Sequence, residues 1–454
     1  MSKFALLFLM IFFGGTIATF MISGSVSFFL YQVIYFLNPD NRWWSADIPG
    51  ISYSFIAAFL MILSLAVGYR KYTEQAPWSE QPLFKWLLAL LAVYYIVGFW
   101  AINPAVHDRF VYDLTKLVVV VLVAYKLVYT PRLLDGALWA YLAGATYIGY
   151  LATITGRNSG NRVEGIGLVD APDANGVASA LVPSGVLLMY YAWMGSYKVK
   201  MLCALCGGLI ANGLVLINSR GSFVGVVASA GLFLMYMLFS RYQKKGQRGM
   251  AVLIIIFGIS GGLYVADEGF WERMRTLQNP KSEASGSGRI DYWLASIEVA
   301  RDNPVGLGVQ GFNAVATAYL PPEDLGGNEY KSVHSMWFQG LTEVGWLGLC
   351  LMLMALLSLY RMSRKAKRWV LSMDENVSYF KLLALECSLL GYLGAASFIN
   401  QFRAEILYWM MLLLAAGINV YYLQRVKSQE KGKKRVPVKS GTLKPPQYAR
   451  EKSA

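Results

Sequence analysis

A chain of 454 residues that is 56% hydrophobic, 14% aromatic and only 15% charged is no ordinary soluble protein, in which about a quarter of residues carry charge. Its apolar residues fall in runs of about 17 to 25, the length that crosses a bilayer core, so the expected fold class is all-α, a polytopic transmembrane helical bundle. The net charge of +14 invites a nucleic-acid reading, but ten basic and two acidic residues between Gln424 and Ala454 supply more than half of it. No nucleic-acid motif accompanies them, and a Lys-rich, Pro-containing end suits a disordered cytoplasmic tail beside anionic lipid.

In chain order the apolar segments are 4–37, 51–69, 84–101, 112–129, 134–153, 173–194, 199–217, 221–239, 250–266, 336–360, 379–399 and 404–423. They predict about twelve spans. The first is roughly 50 Å long as one helix, more than a span needs, and a break near Gly24 would give two helices and thirteen spans. Lys3 and the run behind it imitate a signal peptide, but no small-residue cleavage site precedes a mature domain, so a retained anchor is expected. The chain divides into an N-terminal transmembrane bundle (1–266), a loop region with short amphipathic helices (267–335), C-terminal transmembrane helices (336–423) and the basic tail (424–454). Cys203, Cys206, Cys350 and Cys387 all lie inside apolar runs. Buried cysteine behaves as a small hydrophobe, so Cys203-x-x-Cys206 is read as packing.

Basic residues orient the chain. Arg361, Arg364, Lys365, Lys367 and Arg368 crowd one loop and Arg241, Lys244, Lys245 and Arg248 another. The positive-inside rule makes both cytoplasmic, and the tail falls on the same side. The opposite face receives 39–50, 102–111, 154–172, 218–220, 267–335 and 400–403. Both histidines of the chain, His107 and His334, lie there, with several isolated arginines. An arginine held against the topology bias at a membrane edge is a functional candidate.

In the segment 267–335, Ser287-Gly288-Arg289 opens a predicted helix. Ile290, Trp293, Leu294 and Ile297 give it one apolar face, and Asn303-Pro304 ends it. Gly306-Leu-Gly-Val-Gln-Gly311 matches G-x-G-x-x-G but lacks a preceding strand, so it reads as a tight turn near a site. Arg220 follows Asn218-Ser219 at the start of a helix, an anion-binding position, and Gly221-x-x-x-Gly225 behind it permits close helix packing. Arg289 lies in the first turn of its own helix. Arg157 and Arg162 precede Asp173-Ala-Asn175. Planar, permanently charged guanidinium groups suit bidentate contact with phosphate, although each alone could equally snorkel at the interface.

His334 stands where the polar segment meets the next apolar run, as an interfacial anchor or as a group that exchanges a proton near neutral pH. On a continuous helix Glu343, nine residues on, would point away from it at about 13.5 Å axial distance. Glu343 is therefore expected to bond inside the bundle, with Lys331, Phe338 and Leu341 sharing the histidine's face. His107 offers either substrate contact or loop packing. Outward carboxylates occur at Asp170 and Asp173, Asp267 and Glu268, and Glu323 and Asp324, but none has the spacing of a metal cage. Asp170 and Asp173 serve as well for capping, and no metal or cofactor is expected.

Taken in order, Asn218-Ser219-Arg220-Gly221, Gly288-Arg289 with Trp293, Asn303-Pro-Val-Gly-Leu-Gly-Val-Gln-Gly-Phe312, and His334-Ser335 leading to Leu341-x-Glu343-x-Gly345-x-x-Gly348 resemble the O-antigen ligase and O-antigen polymerase family of bacterial inner-membrane glycosyltransferases. The resemblance covers residues 150 to 350 and, through the span layout, much of the rest. It implies a GT-C-like fold and a metal-independent, inverting transfer at the periplasmic face. The donor would be an undecaprenyl-diphosphate-linked glycan and the acceptor a hydroxyl of lipid A–core or a similar molecule. By motif, Arg220 and Arg289 would bind the diphosphate and His334 would orient or deprotonate the acceptor. Arg162, Arg157, Lys331 and His107 are further substrate-binding candidates. A polymerase, a protein O-glycosylation ligase and, from another class, a lipid-linked glycan transporter remain alternatives. A transporter would more naturally bury its charges at mid-membrane.

Overall fold

The computed structural model describes residues 1–158, 161–240, 245–275, 284–325 and 330–435, with the backbone alone for 284–288, 323, 324 and 431–435. Among the described residues every element is helical. In order they are α1 (Lys3–Met21), α2 (Val26–Leu37), α3 (Tyr53–Val67), α4 (Tyr69–Gln75), α5 (Pro82–Val97), α6 (Pro104–Leu127), α7 (Pro131–Thr155), α8 (Ala174–Met194), α9 (Tyr197–Ile217) and α10 (Arg220–Phe239). There follow α11 (Gln247–Val265), α12 (Glu268–Arg275), α13 (Ala284–Asp302), α14 (Gly311–Tyr319), α15 (Pro322–Leu325), α16 (Met336–Ser372), α17 (Asn376–Ala396), α18 (Glu405–Ile418) and α19 (Gln424–Arg435). Several start on signals visible in the chain. Proline opens α5, α6 and α7, where its missing N–H costs nothing, and Asn103, Thr130 and Asp173 cap the next turn with their side chains.

Among the described residues ten helices are long and apolar enough to cross a membrane, or eleven if α3 and the helical segment after it, bent by 87°, form one broken span. The twelve predicted segments are all helical, yet two fall short as single straight spans, 51–69 and 112–129. Helix α3 has only 15 residues. The first run does break at Gly24, and its second piece, α2, with 12 residues, is about 18 Å long, too short to add a span. Helix α6 is long enough, but Asp113, Lys116 and Lys126 interrupt its apolar stretch.

Cross-links sort the helix ends onto two faces. On one face Asn38 donates through Nδ2 to Gly167 O at 2.8 Å, Ile102 N donates to Leu307 O at 3.0 Å, and Asn400 bonds Ser332. The Ser2 backbone N–H reaches Asp47 Oδ2 at 2.6 Å, so α1 also starts on this face. On the other face Ser25 Oγ donates to Leu127 O at 2.7 Å and Lys427 meets Glu80 at 2.9 Å. The first is here called the histidine face and the second the tail face.

Close packing between helices comes from small residues, as expected where lipid removes the hydrophobic incentive to associate. A Cβ on Gly225 would lie 2.5 Å from Gly391 O, so α10 and α17 touch backbone to backbone. By contrast, α11 leaves nearly all its side chains bare; only Gln247 and Ala251 are buried.

Three expectations need correction. The basic cluster from Arg361 to Arg368 is not a loop, because α16 runs on to Ser372; of the other cluster, Arg241 and Lys244 lie outside the described residues. The tail begins as helix α19, docked by Arg425 on Glu375 and by Gln424 Nε2 on Gln75 O and Tyr129 O; residues 436–454 lie outside the described residues. In α13, Ile290, Leu294 and Ile297 are exposed, while Tyr292, Ala295, Ser296 and Val299 are buried against α14 and α16. Of the predicted face only Trp293 packs, stacked on Phe338 with its Nε1 donating to Val333 O at 3.2 Å.

Candidate functional site

At the break inside α16 the Gly-rich segment finds its use. Val344 and Gly345 leave helical geometry (Gly345 at φ 65°, ψ −170°), which strands the carbonyls of Thr342 and Glu343. Leu307 N and Gly308 N donate to them at 2.9 and 3.0 Å, and Trp346 N returns a bond to Pro304 O at 3.1 Å. Gly306 and Gly308 sit at φ 85° and 84°, and a Cβ on Gly306 would lie 2.5 Å from Glu343 O. Left-handed backbone and close approach both demand glycine. G-x-G-x-x-G is here a plug in a broken helix, and no nucleotide is involved in that explanation.

Glu343 sits beneath the plug, buried to 2% exposure. Arg403 grips it bidentately at 2.9 and 3.0 Å, Tyr94 Oη donates at 2.8 Å and Gln339 Nε2 at 3.0 Å. The carboxylate therefore bonds inside the bundle, as its spacing from His334 predicted. The assumption of one continuous helix was wrong, however. Residues 330–335 are non-helical, and α16 starts only at Met336. His334 precedes it at φ 52°, a left-handed conformation uncommon outside glycine. The helical face assigned to Lys331, His334, Phe338 and Leu341 therefore does not exist.

Arg220 is the first residue of α10, behind the left-handed Asn218 (φ 58°) that ends α9 and the N-cap Ser219. Arg289 stands one turn further into α13 than expected, because that helix begins at Ala284. The two arginines, far apart in the chain, line one cleft with Asn175, Ser219, Gly221, Arg273, Phe398 and Ile399. Its empty space, the part open to solvent included, is about 270 Å³.

Arg162 holds the edge of this cleft. Its Nε donates to Ile217 O at 3.2 Å and its Nη2 to Asn175 Oδ1 at 2.7 Å. It feels Arg220 and Arg289 as like charges and Asp173 and Glu164 as opposite ones. Asp173 N-caps α8 through Asn175 N and Gly176 N at 2.8 and 3.1 Å. Asp170 does not cap α8; it accepts from Tyr35 Oη and from Glu405 N, the first N–H of α18.

His334 is exposed to solvent and does not itself line the cleft, yet its surroundings act on it. Partial burial first, then the cation of Arg289, lower its pKa from the ordinary 6.5. Asp173 pulls it up and Lys331 pushes it down. The imidazole is thus neutral at pH 7 and able to accept a proton. A rate that needs this base should fall only as pH drops below about 6.5. In Arg289→Gln, with one repelling cation gone, the residual activity should show that acid limb displaced upward. A pH–rate profile that stays put in the variant would separate the two groups.

Two candidates leave the site. Arg157 spends its fork on Asp267, on Asn161 Oδ1 at 3.2 Å and on Val215 O at 2.8 Å, so it staples loop to helix. His107 is 1% exposed; Nδ1 accepts from Val309 N at 3.1 Å and Nε2 faces Tyr94 O at 2.9 Å. Both ring nitrogens are occupied by backbone, which leaves none for a substrate. Among the described residues no group of three or more His, Cys, Asp or Glu converges, and the side chains of Glu323 and Asp324 lie outside them. Sequence reasoning missed Arg273 and Asn175. Arg273 carried the same signal as the others, an arginine on the face where the charge bias does not expect one.

A many-spanning helical membrane protein with clustered arginines and a neutral histidine on one face is the class these features define. Residues 202–353, about a third of the chain, match the family model for O-antigen ligase; in that segment the chain is similar to the O-antigen ligase and polymerase family. Arg220, Arg273, Arg289, His334 and Glu343 all fall inside the matched stretch; Arg157, Arg162 and His107 do not. No curated protein matches the chain.

Proposed function

We propose that this protein transfers a glycan from undecaprenyl diphosphate to a hydroxyl of lipid A–core at the periplasmic face of the bacterial inner membrane. The observation that carries the reading is the convergence of Arg220 and Arg289 on one cleft, with Arg289 also acting on His334. The basic end of α16 and helix α19 on the tail face support a cytoplasmic C-terminus, which turns the cleft outward.

In the proposed reaction the acceptor hydroxyl gives its proton to the His334 imidazole as its oxygen bonds to the anomeric carbon. The bond from that carbon to the diphosphate breaks, and the electron pair leaves with the diphosphate. Charge grows on phosphate oxygens during this step, and preorganised guanidinium groups stabilise it. The leaving group is already activated, so no acid partner of the kind glycosidases employ is required. Attack from the side opposite the diphosphate inverts the sugar.

The test is a transfer assay with purified protein, an undecaprenyl-diphosphate glycan and lipid A–core, with a chelator present. Glycan on lipid A–core, lost in His334→Ala, is the expected result. Longer glycan still on undecaprenyl diphosphate would make the protein a polymerase instead. Activity only after metal is restored would remove metal independence from the reading. Donor bound but never consumed would point to transport.

A further inference from the structure

We infer that Arg273 is a third phosphate-binding residue of the cleft, the one through which the protein prefers a diphosphate to a single phosphate. The inference rests on the reading above, that the cleft takes a lipid diphosphate.

Arg273 lines the cleft beside Arg220 and Arg289, and it comes from a third element, the short helix α12. That helix is anchored independently of any ligand. Asp267 caps it at Phe270 N, 2.9 Å away, and is itself paired with Arg157. Asn218 Nδ2 donates to Gly269 O at 3.2 Å. Phe270, 5% exposed, packs edge-on against Phe223 of α10 with ring centroids 5.5 Å apart. Helix α12 is thereby fastened to the α9–α10 junction that also presents Arg220. Arg157, which has no path to substrate, acquires a role as the positioning residue for Arg273.

The preference follows from the shape of guanidinium groups. Each presents a planar fork that takes two oxygens at once. A single phosphate offers one cluster of terminal oxygens, which two forks already occupy. A diphosphate offers a second cluster to the third fork. The diphosphate also gains negative charge as the sugar departs, so a third cation favours the reacting state as well as the bound one.

The experiment measures binding of undecaprenyl diphosphate and undecaprenyl phosphate to the full-length protein in nanodiscs, without any turnover. The wild type is expected to favour the diphosphate. Arg273→Ala should weaken diphosphate binding about tenfold or more, the worth of a charge-assisted contact, and leave the monophosphate nearly unchanged. Arg273→Lys should recover part of the loss, which a folding defect would not allow. Asp267→Asn, which loosens the support and keeps the arginine, should fall between. Diphosphate binding in Arg273→Ala equal to wild type, or equal losses for both lipids, would overturn the inference while the cleft's reading stands. A wild type that binds neither lipid would overturn that reading, and the inference with it.

Discussion

Arg289→Ala is expected, on the proposed reaction, to lower kcat/KM for glycan transfer by about a hundred- to a thousandfold, the usual effect of removing one group that stabilises developing charge. The loss should exceed that for Arg162→Ala, because Arg162 already spends two of its donors on Ile217 O and Asn175 Oδ1. Arg220→Ala should resemble Arg289→Ala, since both line the same cleft. The double variant should be far less damaged than the product of the single effects, as residues acting as a unit are not additive. Unlike Arg220, Arg289 also repels a proton from His334, so its loss should alter the pH profile as well as the rate. Independent, multiplicative losses would mean that the two arginines do not share one anion.

Gly345→Ala should be strongly destabilising. At φ 65° and ψ −170° the residue occupies backbone space essentially reserved for glycine, at a cost of about 1–3 kcal/mol for any other residue. An added Cβ would also press on Pro304 O and lie 2.6 Å from the Val305 carbonyl carbon, and such overpacking costs about 1–3 kcal/mol more. The plug formed by residues 304–309 would be forced out of the helix break, and Thr342 O and Glu343 O would lose their donors. Gly258→Ala is the control: nothing lies within 4 Å of its Cβ, and alanine is the better helix former. Thermal unfolding in detergent should show a marked fall for Gly345→Ala and none for Gly258→Ala. Equal stability of the two would remove the plug from the account of the site.

The all-helical class, the positions of the long apolar helices, the break at Gly24 and the start of α10 at Arg220 could be read from the chain. Each rests on local rules: hydrophobic length, proline and cap preferences, and the scarcity of arginine on one face of a membrane. The pairing of Arg220 with Arg289 was also approachable, because both stood on the face where the charge bias does not expect them. That same signal applied to Arg273, although the sequence reading did not extend it there.

Other features needed the folded chain. The exposed side of α13 could not be found from periodicity, because a helix at a membrane edge can leave aliphatic residues such as Ile290, Leu294 and Ile297 outward while Tyr292, Trp293 and Val299 pack inward. Arg157 and His107 looked like Arg220 and His334 in sequence. Only the folded chain shows their polar atoms taken by Asp267, Val215 O, Val309 N and Tyr94 O. The glycines of Gly306-Leu-Gly-Val-Gln-Gly311 announced unusual backbone, but their partner is a break in a helix that begins some thirty residues later. Sequence alone determined which residues had to be helical and singled out the arginines expected on the face opposite the basic tail. Tertiary structure decided which of those charges remain at the cleft, because a guanidinium or imidazole is committed by the carbonyls, amides and carboxylates that distant segments bring to it.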